Sequence, residues 1–173
     1  VYSIILTLCI IFTIDLHPDK ISASPISSVI VITIDTLRAD HMSCYGYGVE
    51  TTPHIDRLAK MGTRFRWAFS TSPQTAPSHV SIFTGKYPSF HSIGTENIQH
   101  RLNPKEITLA ALCQARGIRT AAVVSNIVLD KSLGLDQGFD SYDDQYQQRE
   151  LNRDLPEQHA KYAVDKAVTL LKQ

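Results

Sequence analysis

The chain has 173 residues, 43% of them hydrophobic and 20% charged, which is enough apolar material to bury one core. Lys and Arg together number 17, as do Asp and Glu, so the formal net charge is +0. The sequence therefore lacks the positive excess that attracts nucleic acid, and no nucleic-acid partner is expected. Its 3 cysteines are too few and too scattered for a disulfide framework.

The amino-terminal segment differs in composition from the rest of the chain. Residues 4–14 carry no charge, are too few to span a bilayer as a helix, and have the length of a signal-peptide core. Small residues at 22–24 offer a cleavage position, although no basic residue precedes the apolar run. We predict a leader over residues 1–24 and an exported protein, periplasmic, extracellular or tethered to a membrane. The alternative is an ordinary buried strand or helix.

Strand and helix patterns alternate along the remaining residues. The β-branched run at 27–34 predicts a strand buried on both faces of a parallel sheet. Proline after Thr52, followed by apolar residues at helical spacing, predicts a helix that begins at Pro53 and stops at Gly62. Aromatic residues at every second position predict another strand over residues 63–69.

The second half of the chain continues the alternation. Its predicted elements are a short helix at 78–83 that stops at Gly85, a loop at 89–105, a helix capped by Thr108, a strand at 119–124, a turn-rich segment at 134–144 and a helix at 156–172. This order predicts an α/β fold, a mainly parallel sheet flanked by helices. Residues 27–173 form the folded part.

Two side chains with oxygen atoms lie at the edge of the predicted sheet where α/β proteins bind ligands. Asp35 follows the first predicted strand directly, at the carboxyl end where open α/β sheets bind ligands. Thr75 lies forty residues later in the chain, at the mouth of a predicted helix. A hard carboxylate ligand and a hydroxyl nucleophile are the parts of a metal-assisted ester hydrolase, and we expect both to converge on one cation. A turn-capping Asp and a helix-capping Thr are the alternatives.

The motifs around these residues resemble the amino-terminal part of a sulfatase, a family of the alkaline-phosphatase superfamily. The resemblance runs from about Val29 to Asp144, and the motifs that carry it are Asp35 to Tyr47, Thr51 to Ala59, Thr75 to Pro88, and His91. It implies an alkaline-phosphatase/sulfatase-like fold that is incomplete at the C-terminus. The missing carboxyl-terminal part of the catalytic domain would then complete the site.

The resemblance also implies roles for site residues. Asp35 and Thr75 would be metal ligands, for calcium first, with magnesium, manganese and zinc as alternatives. Sulfatases often carry a second acid after the first, where this chain has Thr36. Thr75 takes the place of the cysteine or serine that becomes formylglycine. A threonine cannot give that aldehyde by the same route, so Thr75 would attack directly as an alkoxide.

Two further site residues also depart from the family pattern. His79 stands where sulfatases carry arginine, one helical turn beyond Thr75. As a catalytic residue it would orient the charged nucleophile when protonated, or act as an acid or base. Asn126 replaces a lysine that grips the sulfate, and would bind substrate with one amide hydrogen bond. Four loop residues could compensate for the lost charge: His54, Lys86, His91 and His100.

The predicted function is metal-dependent cleavage of sulfate esters with Thr75 as nucleophile. One alternative is a phosphodiester or phosphonate hydrolase, or a phosphoglycerol-type transferase, because a direct threonine nucleophile needs no maturation enzyme. Another is an inactive, truncated sulfatase-like domain. The substrate is an anionic sulfate or phosphate ester in each enzymatic case. One carboxylate and one hydroxyl are poor coordination for calcium, which takes about 6–8 oxygens, so the 173 residues alone are expected to be inactive.

Overall fold

A computed structural model of the chain describes residues 30–94, 101–145 and 160–172, together with the backbone of residues 5–9. The chain divides into two compact units. The first contains residues 1–35 and 71–173 and includes the sheet. The second contains residues 36–70.

One sheet, in which three of the four described strands run in the same direction, organises the first unit. Its strands, within the part of the chain that the structure describes, are β1 (Ile5–Cys9), β2 (Val31–Asp35), β3 (Ala121–Val123) and β4 (Ser141–Asp143). They lie in the order β2-β1-β3-β4. Strand β1 is antiparallel to both of its neighbours and β3 is parallel to β4. Strands β2, β3 and β4 therefore run in the same direction, which confirms the predicted α/β class.

The strand predictions have mixed outcomes. Strands β2 and β3 lie within the runs predicted for them, although residues 27–29 of the first run are outside the described residues. The prediction that the first strand is buried on both faces is wrong for β2, since Ile32 is 55% exposed. Strand β4 was missed, because three residues within a turn-rich segment are too short to show an alternating pattern. Strand β1 lies in the predicted leader, and its backbone pairs with β2 and β3. Cleavage of that leader stays a prediction.

Five α-helices occur in the described residues. They are α1 (Pro53–Met61), α2 (Thr75–Thr84), α3 (Pro88–His91), α4 (Leu109–Gln114) and α5 (Ala160–Leu171). Thr108 caps α4 as predicted, since its hydroxyl accepts a hydrogen bond from the Ala111 N–H at 3.0 Å. Within the described segments, none of the helices is both long and apolar enough to cross a bilayer.

Helix α2 begins at Thr75, three residues before the predicted start at Ser78. The prediction placed Pro77 before the helix, whereas the structure has it in the first turn. Backbone N–H groups in that turn have no partner within the helix, so proline is tolerated there. Helix α2 ends before Gly85, as predicted. The earlier start makes Thr75 the first helical residue.

Helices pack on both faces of the sheet. Ala122 and Val124 belong to a buried cluster with Val80 and Phe83 of α2. The other members of this cluster are Ile93, Leu102, Leu129, Leu133 and Leu135. Val123 packs instead in a second cluster with Ala163 and Ala167 of α5. Because successive side chains of a strand point to opposite faces, α2 and α5 lie on opposite sides of β3.

The unit of residues 36–70 contains α1 and two short 3-10 turns, Ala39–His41 and Ser43–Tyr45. The strand predicted over residues 63–69 is wrong, because the structure has neither helix nor strand there. Phe65, Trp67 and Phe69 are 68%, 73% and 84% exposed. Aromatic residues at alternate positions favour a strand only where a neighbouring strand is available. Among the described residues, no strand pairs with this segment.

Two glycines with left-handed backbone give a stability prediction. A Cβ on Gly138 (φ 84°) would lie 2.0 Å from the Ala111 backbone nitrogen, whereas a Cβ on Gly117 (φ 72°) would meet nothing within 4 Å. Gly138→Ala should therefore lower the free energy of unfolding by about 3 kcal/mol or more. Gly117→Ala should cost only the backbone strain, about 1 kcal/mol. Urea unfolding followed by circular dichroism measures both. Equal losses would contradict the close approach at Gly138.

Candidate active site

Asp35 and Thr75 meet at the carboxyl end of β2. The Thr75 hydroxyl donates a hydrogen bond of 2.9 Å to Oδ2 of Asp35. Asp35 is the last residue of β2 and Thr75 the first residue of α2, and both are half-buried. The structure thus brings together the Asp35 carboxylate and the Thr75 hydroxyl, the two groups expected to bind one cation. Their roles as metal ligands and nucleophile stay predictions.

Thr75 occupies the positive end of a helix. Helix α2 has 10 residues, and Gln74, not Thr75, holds its N-cap position. The Thr75 hydroxyl is directed to the carboxylate of Asp35, so the alternative of a simple capping threonine does not describe its main contact. Peptide dipoles make a helix amino terminus favourable for negative charge. A negative charge on the Thr75 oxygen would therefore be stabilised at this position.

Asn126 contacts the same carboxylate from the carboxyl end of β3. Its Nδ2 donates to Asp35 Oδ2 at 3.3 Å, while its Oδ1 accepts from the Val128 N–H at 3.0 Å. The second bond fixes the orientation of the amide, because a flipped amide would place two N–H donors against each other. Asn126 therefore presents N–H, rather than oxygen, to the site. Its role in binding substrate stays a prediction.

His79 is buried and uses both ring nitrogens. Nδ1 lies 2.7 Å from the Thr75 carbonyl oxygen, and Nε2 lies 3.0 Å from Oγ1 of Thr33. A carbonyl can only accept, so Nδ1 carries the proton and Nε2 accepts from the Thr33 hydroxyl. Burial lowers the pKa of His79, which favours this neutral form. Neither bond involves the Thr75 hydroxyl, and a catalytic role for His79 stays a prediction.

Thr33 is the residue that the sequence analysis missed. It lies two positions before Asp35 on β2, and side chains two positions apart in a strand share a face. That spacing was the available signal, but a threonine within a β-branched run is ordinary strand composition. Only the position of His79 against β2 shows that its hydroxyl belongs to the polar cluster.

Two of the loop residues expected to add charge, Lys86 and His91, are engaged elsewhere; His54 lies in α1 rather than in a loop, and His100 is outside the described residues. The Lys86 ammonium forms a 2.6 Å ion pair with Glu106. His91 is 5% exposed and its Nε2 lies 3.0 Å from the Ser81 hydroxyl oxygen. The His91 contact connects α3 to α2. Neither contact involves the Asp35 carboxylate.

The donors at the site suit a hard cation in type, but they are too few. Asp35 offers a carboxylate and Thr75 a hydroxyl, and Ca²⁺ and Mg²⁺ prefer such oxygen ligands. Ser125, directly before Asn126, buries a hydroxyl that has no hydrogen-bond partner within the described residues. In the same part of the chain no group of three or more His, Cys, Asp or Glu residues could hold a metal ion. Tight binding would need ligands beyond these.

A family model described as Sulfatase matches residues 27–173, which is most of the chain. The chain belongs to the sulfatase family. The match confirms the resemblance that the motifs showed, and with it an α/β fold of the alkaline-phosphatase type. Asp35 and Asn126 lie within the matched region, as does the helix that begins with Thr75.

Sulfatases of several kinds are among the curated relatives. An N-acetylgalactosamine-6-O-sulfatase of Bacteroides thetaiotaomicron is 34% identical over 99 residues, which covers 56% of this chain and 19% of that protein. A steryl-sulfatase of Mus musculus is 30% identical over 54% of this chain and 16% of that protein. Arylsulfatase A of Homo sapiens is 29% identical over 54% and 19%. The chain thus spans less than a fifth of the length of these curated relatives. No solved structure matches it significantly.

The buried histidines of this sulfatase-family chain predict a pH-dependent stability. Burial lowers the pKa of both His79 and His91 in the folded state. The unfolded chain therefore takes up these protons at higher pH, near about 6.5. The free energy of unfolding should then fall as the pH drops below that value, by up to about 1.4 kcal/mol per pH unit for each histidine.

The variant His91→Asn tests this dependence. Its side-chain oxygen can still accept from the Ile93 N–H, which now bonds Nδ1 at 3.1 Å, but it does not titrate. Urea unfolding between about pH 5 and 8 should show a shallower loss of stability than in the wild type. His54→Asn, at an exposed position of α1, is the matched control. If His91→Asn loses stability with falling pH as steeply as the wild type, His91 does not contribute to the pH dependence.

Proposed function

We propose that this chain is part of the catalytic domain of a sulfatase-family hydrolase that cleaves sulfate esters with Thr75 as nucleophile. Membership of the family supports the reaction class. The observation that carries the nucleophile assignment is the 2.9 Å hydrogen bond from the Thr75 hydroxyl to Asp35, formed at the first residue of α2. A hydroxyl held by a carboxylate at a helix amino terminus is suited to attack on an electrophilic centre.

The reaction balances with two bond exchanges. The Thr75 oxygen bonds to the sulfur of the ester while the ester oxygen leaves and takes up a proton to become the free alcohol. The proton of the Thr75 hydroxyl leaves along its hydrogen bond to Asp35. Water then cleaves the sulfated Thr75 and releases sulfate, which restores the hydroxyl. The helix terminus stabilises the negative charge on the Thr75 oxygen.

Asp35 and Thr75 are the residues that would hold a divalent cation, calcium first, with magnesium, manganese or zinc as alternatives. Such a cation supplies positive charge that makes the deprotonated hydroxyl more accessible near neutral pH. Because calcium takes about 6–8 oxygen ligands, these two residues alone would bind it weakly. Activity therefore belongs to the full-length natural protein.

The leading alternative is a hydrolase or transferase for phosphodiesters or phosphonates. Thr75 favours it, because its hydroxyl is already held at hydrogen-bond distance from Asp35 and would need no conversion to an aldehyde. An inactive sulfatase-like domain is supported by the small donor set of the described residues. Asn126 would bind an anionic substrate oxygen in either enzyme through its amide N–H, the group that it directs to Asp35 in this structure.

Substitution of Thr75 tests the nucleophile. In the full-length protein, Thr75→Ala should lower kcat at least about a thousandfold, because the oxygen that bonds to the substrate is removed. Thr75→Ser keeps that oxygen and should retain most of the activity. The matched control is Thr84→Ala at the other end of α2, where the hydroxyl bonds the Val80 carbonyl oxygen at 2.7 Å.

Steady-state hydrolysis of an aryl sulfate and of an aryl phosphodiester measures these effects and separates the two enzymatic functions. A preference for the sulfate supports the proposal, and a preference for the phosphodiester supports the alternative. Wild-type rates in Thr75→Ala would exclude direct attack by this hydroxyl.

The metal assignment predicts a calcium-dependent stability. Calcium should raise the melting temperature of the chelator-treated full-length protein, because a ligand that binds only the folded state stabilises it. In Asp35→Asn, the calcium concentration that gives the same rise in melting temperature should be at least about tenfold higher. Asp40→Asn is the control, since Asp40 instead pairs with Arg38 in an exposed ion pair of 2.5 Å. Differential scanning fluorimetry measures the shift. Identical calcium dependence in wild type and Asp35→Asn would exclude this carboxylate as a ligand.

A further inference from the structure

Two parallel hydrogen-bonded contacts connect β2 to α2. One is the bond from the Thr75 hydroxyl to Asp35 at 2.9 Å, and the other is the bond between Thr33 and His79 at 3.0 Å. We call these four residues the strand–helix ladder. A third bond, from His79 Nδ1 to the Thr75 carbonyl oxygen at 2.7 Å, joins the two contacts on the helix side.

The ladder follows from the periods of the two elements. Thr33 and Asp35 are two residues apart on β2, so their side chains share a face. Thr75 and His79 are four residues apart on α2, so they lie one above the other on one side of the helix. The helix can therefore place both of its residues against both strand residues in a single register. A shift or rotation of α2 would disrupt both contacts.

His79 is the most buried part of this ladder. It is 5% exposed, and its flat ring spans from a backbone carbonyl of its own helix to a hydroxyl on the strand. The carbonyl fixes the proton on Nδ1, which leaves Nε2 as an acceptor for Thr33. Since both nitrogens are committed and the ring is buried, His79 has no nitrogen to present to a substrate.

We propose that His79 is a positioning residue: with Thr33 it holds the first turn of α2 against β2 and so keeps the Thr75 hydroxyl on Asp35. The effect of this positioning on catalysis rests on the function proposed for Thr75, but the positioning itself does not. It replaces the acid–base role that the sequence suggested for His79. The competing explanation is that His79 and Thr33 only fill space in the interior.

Variants of the ladder in the full-length protein separate these explanations. Thr33→Val removes the hydroxyl and keeps the shape of the side chain, whereas Thr33→Ser keeps the hydroxyl. His79→Asn retains a donor near the Thr75 carbonyl and loses the reach to Thr33. His91→Asn replaces another buried histidine, one that bonds Ser81 outside the ladder, and serves as the control.

The first readout does not depend on activity. In protein carrying isotope-labelled threonine methyl groups, the Thr75 methyl resonance should move in Thr33→Val and in His79→Asn. It should stay at its wild-type position in Thr33→Ser and in His91→Asn. An unmoved resonance in Thr33→Val overturns the proposal, whether or not the protein hydrolyses any ester. If the resonance moves in these variants but the wild-type protein hydrolyses neither ester, the positioning is supported. The lack of activity then counts only against the function proposed for Thr75.

The second readout is kcat for whichever aryl ester the wild type hydrolyses. Thr33→Val and His79→Asn should lower kcat by about 10- to 100-fold with little change in KM, because the reacting oxygen is misplaced. Thr33→Ser should keep kcat near the wild-type value because it keeps the hydroxyl. If Thr33 only filled space, loss of its methyl group would lower kcat more than Thr33→Val does. Wild-type kcat in Thr33→Val overturns the proposal. Should the variants fail to fold, the imidazole ¹⁵N shifts of wild-type His79 decide: Nδ1 must be protonated, and an unprotonated Nδ1, which could not donate to the Thr75 carbonyl oxygen, overturns the proposal.

Discussion

The hydrogen bond between the Thr75 hydroxyl and the Asp35 carboxylate is the interaction on which the candidate site depends. It joins residues 40 positions apart, so it exists only if the fold places the end of β2 against the start of α2. Burial of Val80 and Phe83 in the core beside β3 supplies the force that holds α2 on the sheet. Thr33 and His79 add a second hydrogen bond between β2 and α2, and Asn126, which follows β3, contacts the Asp35 carboxylate.

Among the described residues, the site gathers polar groups around one carboxylate and includes no Lys or Arg contact to it. Oδ2 of Asp35 accepts hydrogen bonds from the Thr75 hydroxyl and from the Asn126 amide N–H. The nearby imidazole of His79 is buried, and its pKa is lowered by that burial. The site therefore favours a cation over an anion until other charges are added. A negative ester would approach this cluster more readily once a cation had neutralised Asp35.

The sequence was most informative where a signal is local. The strand before Asp35, the helix around Thr75 and the position of Asn126 after β3 follow from composition, motif spacing and resemblance, and the structure brings these three residues together. It was least informative where the outcome depends on a distant partner. Residues 63–69 have the alternation of a strand but pair with no strand in the described residues, and β4 forms because β3 lies beside it. Thr33 gained its contact from the position of α2, which no local pattern encodes.

The position of β1 has a consequence for maturation. Residue 5 pairs with Asp35, and Leu8 pairs with Val123, three residues before Asn126. The strand therefore enters the sheet between the backbones that carry Asp35 and Asn126, which lie about two strand spacings of 4.8 Å apart. Proteolytic removal of residues 1–24 during export would take this strand away. Strands β2 and β3 would then have to close upon each other or accept a different neighbour.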